Sequence, residues 1–257
     1  MIEFIILLFL IGMAFGSFSN VCAYRIPHSI SVVSPGSHCP VCKHKIRWYD
    51  NLPCLSFVLL HAQCRDCKAP IPVRYFAVEL LSGLIFSLIG IYIGFDRILP
   101  LYLYLAFALI TLTLIDYECK IIPDFFSLSL IIAGIIYAPF NSSMGEGVVY
   151  RVLYSAVGVL VGGGVLLLIG FIGSLILKKE AMGGGDIKLL AGLGAIFGWQ
   201  KSLTILFLAS LLGTIAGVYL IASKRLDKKE YIPFGPFIAL SALIHVFLPD
   251  ILLFWKF

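Results

Sequence analysis

Of the chain's 257 residues, 60% are hydrophobic and only 13% are charged, and the mean hydropathy is +1.02. Soluble chains average about 25% charged residues, so this composition excludes a water-soluble domain, a disordered tail, a collagen-like fibre and a secreted disulfide mini-protein. It requires membrane lipid as a partner, and a net charge of only +5 gives no footing for a nucleic-acid partner.

A bilayer span takes about 20 mainly apolar residues, and only helices or closed barrels satisfy their backbones in lipid. The apolar runs here are continuous rather than alternating. They predict helices over 4–24, 75–94, 99–116, 124–140, 148–177, 186–199, 201–222 and 233–255, an all-α polytopic membrane protein with about eight transmembrane helices. The sixth run is short and Gly-rich. No basic residue precedes the first run and no small-x-small cleavage site follows it, so it reads as a retained helix rather than a signal peptide.

Short cytoplasmic loops are enriched in Lys and Arg. With eight spans, the loops on one side carry Arg25, Lys43, Lys45, Arg47, Arg65, Lys68, Arg74, Lys120, Lys178, Lys179, Lys188, Lys224, Arg225, Lys228 and Lys229; the other side carries Arg97, Arg151, Lys201 and Lys256. Both termini are therefore expected to face outward. The organisation expected is a first transmembrane helix over 1–24, a cytoplasmic zinc-binding loop over 25–74 and a seven-helix transmembrane domain over 75–257.

Within the loop, Cys39-Pro-Val-Cys42 and Cys64-Arg-Asp-Cys67 form two Cys-x-x-Cys pairs. Two such pairs at this spacing build a tetrahedral thiolate site like that of a zinc ribbon, where the metal replaces the core that a short segment lacks. Two disulfides are the alternative, disfavoured in a reducing cytoplasm. A closed Cys₄ shell makes the zinc structural rather than catalytic. Cys22, Cys54 and Cys119 read as plain buried thiols, and His38, His44 and His61 as possible substitute ligands.

An ionisable group at membrane depth is expensive and marks function. The acids that fall there, away from outer ends and inner loops, are Glu79, Asp116, Asp124 and Asp186. Asp116 closes the third span and Asp186 opens the sixth, both at the cytoplasmic boundary. Two carboxylates brought to one depth by separate helices can share a proton and activate a water, as in an aspartyl protease, and Gly183, Gly184 and Gly185 let backbone or substrate approach Asp186 closely. The alternatives are an N-cap role for Asp186 and an ion pair between Asp116 and Lys120. Asp124, after Pro123, reads as a helix cap, and Glu79 as an ion-pair partner of Arg74 or Arg25. Asp116 lies near a helix C-terminus and Asp186 near an N-terminus, with Lys188 close by, so the helix ends favour Asp186 as base and Asp116 as acid.

The remaining glycines carry no nucleotide signature. Gly183 to Gly185 are followed by no Gly-Lys-Ser/Thr, and Gly192, Gly194 and Gly198 miss the dinucleotide spacing by one residue. Gly158, Gly162, Gly163 and Gly164 read as close helix-packing positions.

Taken together, these residues resemble the bacterial type IV prepilin leader peptidases, intramembrane aspartyl proteases of the Gly-x-Gly-Asp class that also N-methylate their product. The resemblance runs through Gly16-Ser17-Phe18-Ser19-Asn20-Val21, Tyr24-Arg25-Ile26-Pro27, both cysteine pairs and Ile46-Arg47-Trp48-Tyr49-Asp50-Asn51-Leu52-Pro53. It continues through Arg74-Tyr75, Val78-Glu79-Leu80-Leu81, Ile115-Asp116, Ile122-Pro123-Asp124, Met182 to Leu189, and Ile232-Pro233-Phe234-Gly235-Pro236-Phe237. It implies Asp116 and Asp186 as the catalytic pair, and a prepilin or pseudopilin substrate of a type IV pilus or type II secretion system. The basic leader would be cut after a Gly at the cytoplasmic face of the inner membrane. It also implies methylation of the new N-terminus with S-adenosylmethionine, an activity associated with the cytoplasmic loop. Two departures fall in that loop: Ala62-Gln63 stands where Gly-Arg is expected, and Cys54 where an aliphatic residue is usual. Two rival readings are a peptidase without methyl transfer and a proton- or cation-coupled transporter with a zinc-stabilised loop. No motif addresses oligomeric state.

Overall fold

Nine α-helices account for most of residues 1–178, 182–223 and 232–248, the part described by this computed structural model. They are α1 Ile2–Arg25, α2 Leu55–Leu59, α3 Val73–Ile93, α4 Leu99–Cys119, α5 Asp124–Tyr137, α6 Val148–Leu177, α7 Gly184–Phe197, α8 Trp199–Ala222 and α9 Gly235–Phe247. Among the described residues, β pairing is confined to two isolated antiparallel bridges, His38 with Lys45 and Gln63 with Pro70.

Apart from α2, each helix falls on one of the expected apolar runs. Helices α1, α3, α4, α6 and α8 are long and apolar enough to cross a membrane. Helices α5, α7 and α9 have 14, 14 and 13 residues. At 1.5 Å per residue each is about 20 Å long, shorter than the roughly 30 Å hydrocarbon core. Helix α5 ends at Tyr137 rather than 140 because Pro139 has no N–H to continue the ladder, and Ala138–Phe140 tighten into a 3₁₀ turn. The expected end of the last run, 249–255, lies outside the described residues. So do Lys179, Glu180, Lys224, Arg225, Asp227, Lys228, Lys229, Glu230, Asp250 and Lys256.

Helix α4 is the centre of the bundle: Leu105, Ala106, Ala108, Leu109 and Ile115 are fully buried. A helix that is apolar on all sides is one surrounded by others. Helix α1 lies antiparallel to α3, with Ser87 Oγ donating to the Ile5 carbonyl at 3.4 Å near one end and Gly16 abutting Glu79 near the other. Phe15 and Phe18 contact Phe107, and Thr111 Oγ1 lies 2.9 Å from Ser19 Oγ. Residue numbers rise together along this seam, so α1 and α4 run parallel. Leu160, Leu168 and Ile176 on α6 face outward instead.

Helices α6 and α7 approach each other backbone to backbone. A Cβ added at Gly158 would lie 2.0 Å from the Gly194 carbonyl oxygen, and one at Gly194 equally close to that of Gly158. Gly162 and Gly163 also face α7, whereas Gly164 meets open space and does not share the packing role expected of it. A side chain at the Gly158–Gly194 contact must push two backbones apart, and overpacking costs about 1–3 kcal/mol or more. Gly194→Val is therefore expected to lower the thermal unfolding midpoint in detergent clearly, while Gly164→Ala leaves it unchanged; an unaltered midpoint for Gly194→Val would contradict this packing.

Candidate active site and metal centre

Both cysteine pairs fold into the same knuckle. Lys43 N–H donates to the Cys39 carbonyl and Cys39 N–H to that of His44, each at 2.9 Å; Lys68 N–H donates to Cys64 at 3.0 Å and Cys64 N–H to Ala69 at 2.8 Å. The lysine after each second cysteine takes a left-handed φ, 60° at Lys43 and 59° at Lys68, which closes the turn. The knuckles bring the Sγ atoms of Cys39, Cys42, Cys64 and Cys67 within 4.8 Å of one another, with Cys39 and Cys67 at 3.7 Å. Zn–S bonds of about 2.3 Å in a tetrahedron put sulfurs about 3.8 Å apart, so the four fit one metal ion. All seven cysteines are free thiols, which removes the two-disulfide alternative.

Backbone N–H groups of Cys42 and Val41 hold the Cys39 thiol below its usual value, which favours a thiolate there, whereas burial and the neighbouring sulfurs push Cys42 up. Cys54 is pushed up to about 11 by burial, and behaves as the plain thiol expected. The histidines do not join the sulfur cluster: His44 faces Asp66 at 3.6 Å and His38 Nδ1 lies 3.2 Å from the Gly36 carbonyl. Arg65 clamps Asp50 with both Nε and Nη2, tying the 3₁₀ turn Trp48–Asn51 to the second knuckle.

Ala62, which stands where Gly was expected, has φ +57°. An L-residue in this region is strained by roughly 1–2 kcal/mol, and glycine is not. Ala62→Gly is accordingly expected to raise the chelator concentration needed to strip metal from the loop; a lower requirement would contradict the strain.

The second constellation forms where three helix ends meet. Helix α4 stops at Cys119, and the N–H of Lys120, at left-handed φ 56°, caps it by donating to the Asp116 carbonyl at 2.9 Å. The chain then passes Ile122 and Pro123 into α5. A Cβ on Gly185 would fall 2.6 Å from Ile122 Cβ, and one on Gly235 2.7 Å from Asp116 Oδ2 and 3.3 Å from Ile122 Cδ1. Ile122 is thus wedged between the starts of α7 and α9. Asp116 and Asp186, 4% and 5% exposed, are within electrostatic reach of one another.

Asp186 lies inside the first turn of α7 and is not its cap, a position held by Gly183. Gly183 would meet Asp186 Oδ2 at 3.3 Å if it carried a Cβ, while Gly184 faces open space. Arg74, just after the cysteine loop, forms an ion pair with Glu118, two residues past Asp116. The two carboxylates and the knuckles therefore sit at the same end of the bundle.

Several expectations change here. Lys188 does not serve Asp186: its Nζ lies 2.7 Å from Asp124 Oδ1, joining α7 to the start of α5. Asp124 is not a side-chain cap, since Pro123 holds the N-cap position. Glu79 pairs with neither Arg74 nor Arg25; it is buried and accepts the Cys54 N–H at 2.7 Å. Gly235, which the sequence offers only as part of the motif Ile232 to Phe237, donates its N–H to Asp116 Oδ2 at 2.9 Å. Pro236 next to it marks a helix start, but the sequence holds no sign of which group, 119 residues away, that helix end meets. This contact gives Asp116 a helix N-terminus of its own, so helix ends no longer separate the two aspartates into base and acid.

Residues 10–93 match the family described as Bacterial Peptidase A24 N-terminal domain, and residues 103–218 match the Type IV leader peptidase family. A prepilin leader peptidase/N-methyltransferase of Aeromonas hydrophila is 32% identical over 97% of this chain and 92% of its own length. One from Myxococcus xanthus is 37% identical over 85% of this chain and 63% of its own. One from Pseudomonas aeruginosa is 31% identical over 97% and 92%. No solved structure matches the chain.

Proposed function

The chain belongs to the prepilin leader peptidase/N-methyltransferase family, and from that footing we propose that it removes the basic leader of a type IV prepilin or pseudopilin and N-methylates the residue left at the new N-terminus. The observation that carries the peptidase half is the meeting of Asp116 and Asp186, both buried, around Ile122 at the end of the bundle that holds the cysteine loop.

In this reading the two aspartates share one proton. The ionised carboxylate takes a proton from a water as it attacks the scissile carbonyl; the protonated one donates to the developing oxyanion. Collapse of the tetrahedral intermediate passes a proton to the leaving amine, which becomes the pilin's N-terminus. Gly235 holds Oδ2 of Asp116. The small residues before Asp186 admit an extended substrate backbone beside it.

The active site faces the cytoplasm in the inner membrane, with both termini outward, because the loop that carries most of the described basic residues lies at its end of the bundle. The chain divides into a first transmembrane helix over 1–24, a cytoplasmic zinc-binding loop over 25–74 and a seven-helix transmembrane aspartyl protease domain over 75–257. Cys39, Cys42, Cys64 and Cys67 hold one structural Zn²⁺. S-adenosylmethionine supplies an electrophilic methyl group for the amine that proteolysis exposes.

The test is to incubate the purified protein with a prepilin and S-adenosylmethionine and weigh the products. Loss of the leader plus one methyl group is expected. Loss of the leader alone would leave a peptidase without methyl transfer, and an intact prepilin would overturn the reading.

A further inference from the structure

A cavity of about 310 Å³ opens between the second half of α1 and the chain on either side of the first knuckle. Its volume is at the lower end of small-ligand sites, about 300–1,000 Å³. One wall is α1, with Ser17, Phe18 and Arg25; the other is loop, with Val33, Ser37 and Asn51. None of these residues belongs to the aspartate pair or to the metal ligands.

Arg25 is the unusual member. It is only 7% exposed, and its guanidinium donates to two carbonyls, Ser31 at 2.9 Å and Gly36 at 3.4 Å. Among the described residues no carboxylate pairs with it: Asp50 is taken by Arg65, Glu118 by Arg74, and Glu79 by the Cys54 N–H. A buried cation without a counter-charge is costly, and here it borders a cavity that can admit an anion. The apolar part of the lining comes from both sides, Phe18 on α1 like Arg25 and Val33 on the loop across from it.

The cavity also lies at a telling depth. Helices α1 and α4 run parallel and are registered by Ser19 against Thr111. Arg25 is six residues beyond Ser19, and Asp116 is five beyond Thr111. At 1.5 Å per residue they lie about 7.5–9 Å further along their helices. The buried guanidinium and the aspartate that would cut the leader are level with one another, in the plane where the new amine would appear.

We propose that this cavity is the site for S-adenosylmethionine, with Arg25 receiving the carboxylate of its methionyl part and Phe18 and Val33 receiving the nucleoside. The assignment rests on the N-methyltransferase reading above. It makes Arg25 a binding residue for the donor and gives it no part in proteolysis.

Equilibrium dialysis of labelled S-adenosylmethionine against the full zinc-loaded chain in detergent tests it. Two variants are needed, because Arg25 also holds the loop carbonyls: Arg25→Ala, and Ala14→Trp, which fills the cavity from α1 without touching the loop hydrogen bonds. Both are expected to weaken donor binding by roughly tenfold or more, while bound zinc and leader removal stay at wild-type levels. Wild-type donor affinity in both variants would overturn the location even if the product is still methylated. Unchanged donor affinity with weakened prepilin binding would assign the guanidinium to the substrate and overturn it too. If the wild-type chain binds no donor and its product carries no methyl group, the methyltransferase reading falls and takes this site with it.

Discussion

Replacing either Asp116 or Asp186 by Asn is expected to cut prepilin cleavage by about 10³-fold or more, while membrane insertion and bound zinc stay unchanged. A positioned acid or base contributes typically 10²–10⁴-fold, and an amide of the same shape can neither take the proton of the attacking water nor share one with its partner. Neither side chain belongs to the sulfur cluster, so the metal content reports that the loop is intact. Asp124→Ala is the control. It breaks an exposed ion pair with Lys188, of a kind worth about 0.2–1 kcal/mol, and should slow cleavage no more than about fivefold. Substantial cleavage by both single Asn variants would remove the dyad.

The second large effect concerns the metal. Cys67→Ser is expected to reduce zinc from one ion per chain to a small fraction, and methylation should suffer at least as much as leader removal. Structural zinc supplies about 10–16 kcal/mol in small zinc folds. Residues 26–72 contain little else to order them: a 3₁₀ turn, the five-residue α2 and two isolated bridges. In addition, the first knuckle is continuous with residues 32–37, which wall the cavity beside Arg25. Elemental analysis of freshly purified wild-type protein and of Cys67→Ser checks this; metal-free wild type with full methylation would contradict it.

The helices and the knuckles were legible in the sequence because each is a local pattern. Continuous apolar runs can only be helices in lipid, and Cys-x-x-Cys repeated at this distance has few other uses. Asp116 and Asp186 stood out by elimination, as acids at membrane depth, and α4 and α7 carry both to the same end of the bundle, around Ile122. What the sequence could not supply was partnership across the bundle. Lys188 sits two residues from Asp186 in the chain, but helical geometry turns i and i+2 away from each other, and the lysine reaches Asp124 instead. Glu79 had Arg74 five residues away in the chain and Arg25 at the same expected depth, yet it meets a backbone N–H from the loop. Gly235 was visible only as part of the motif Ile232 to Phe237. Its importance lies in a contact with Asp116 that depends on how α9 docks against α4.

Ala62 shows the same limit from the other side. Its departure from Gly was readable, but the left-handed φ that gives the departure a cost is a property of the folded loop.

The most direct test of the central claim asks where the scissile bond of the substrate rests. A prepilin carrying a photo-crosslinking residue immediately before the cleavage point would be irradiated with the Asp116→Asn enzyme, which should bind the substrate without cutting it, and the linked peptides identified by mass spectrometry. The crosslinks are predicted to fall at the end of α4, the start of α7 and the start of α9, near residues 116, 183–186 and 235. Crosslinks confined to the cysteine loop or to the opposite end of the bundle would contradict the assignment of Asp116 and Asp186 as the cutting pair.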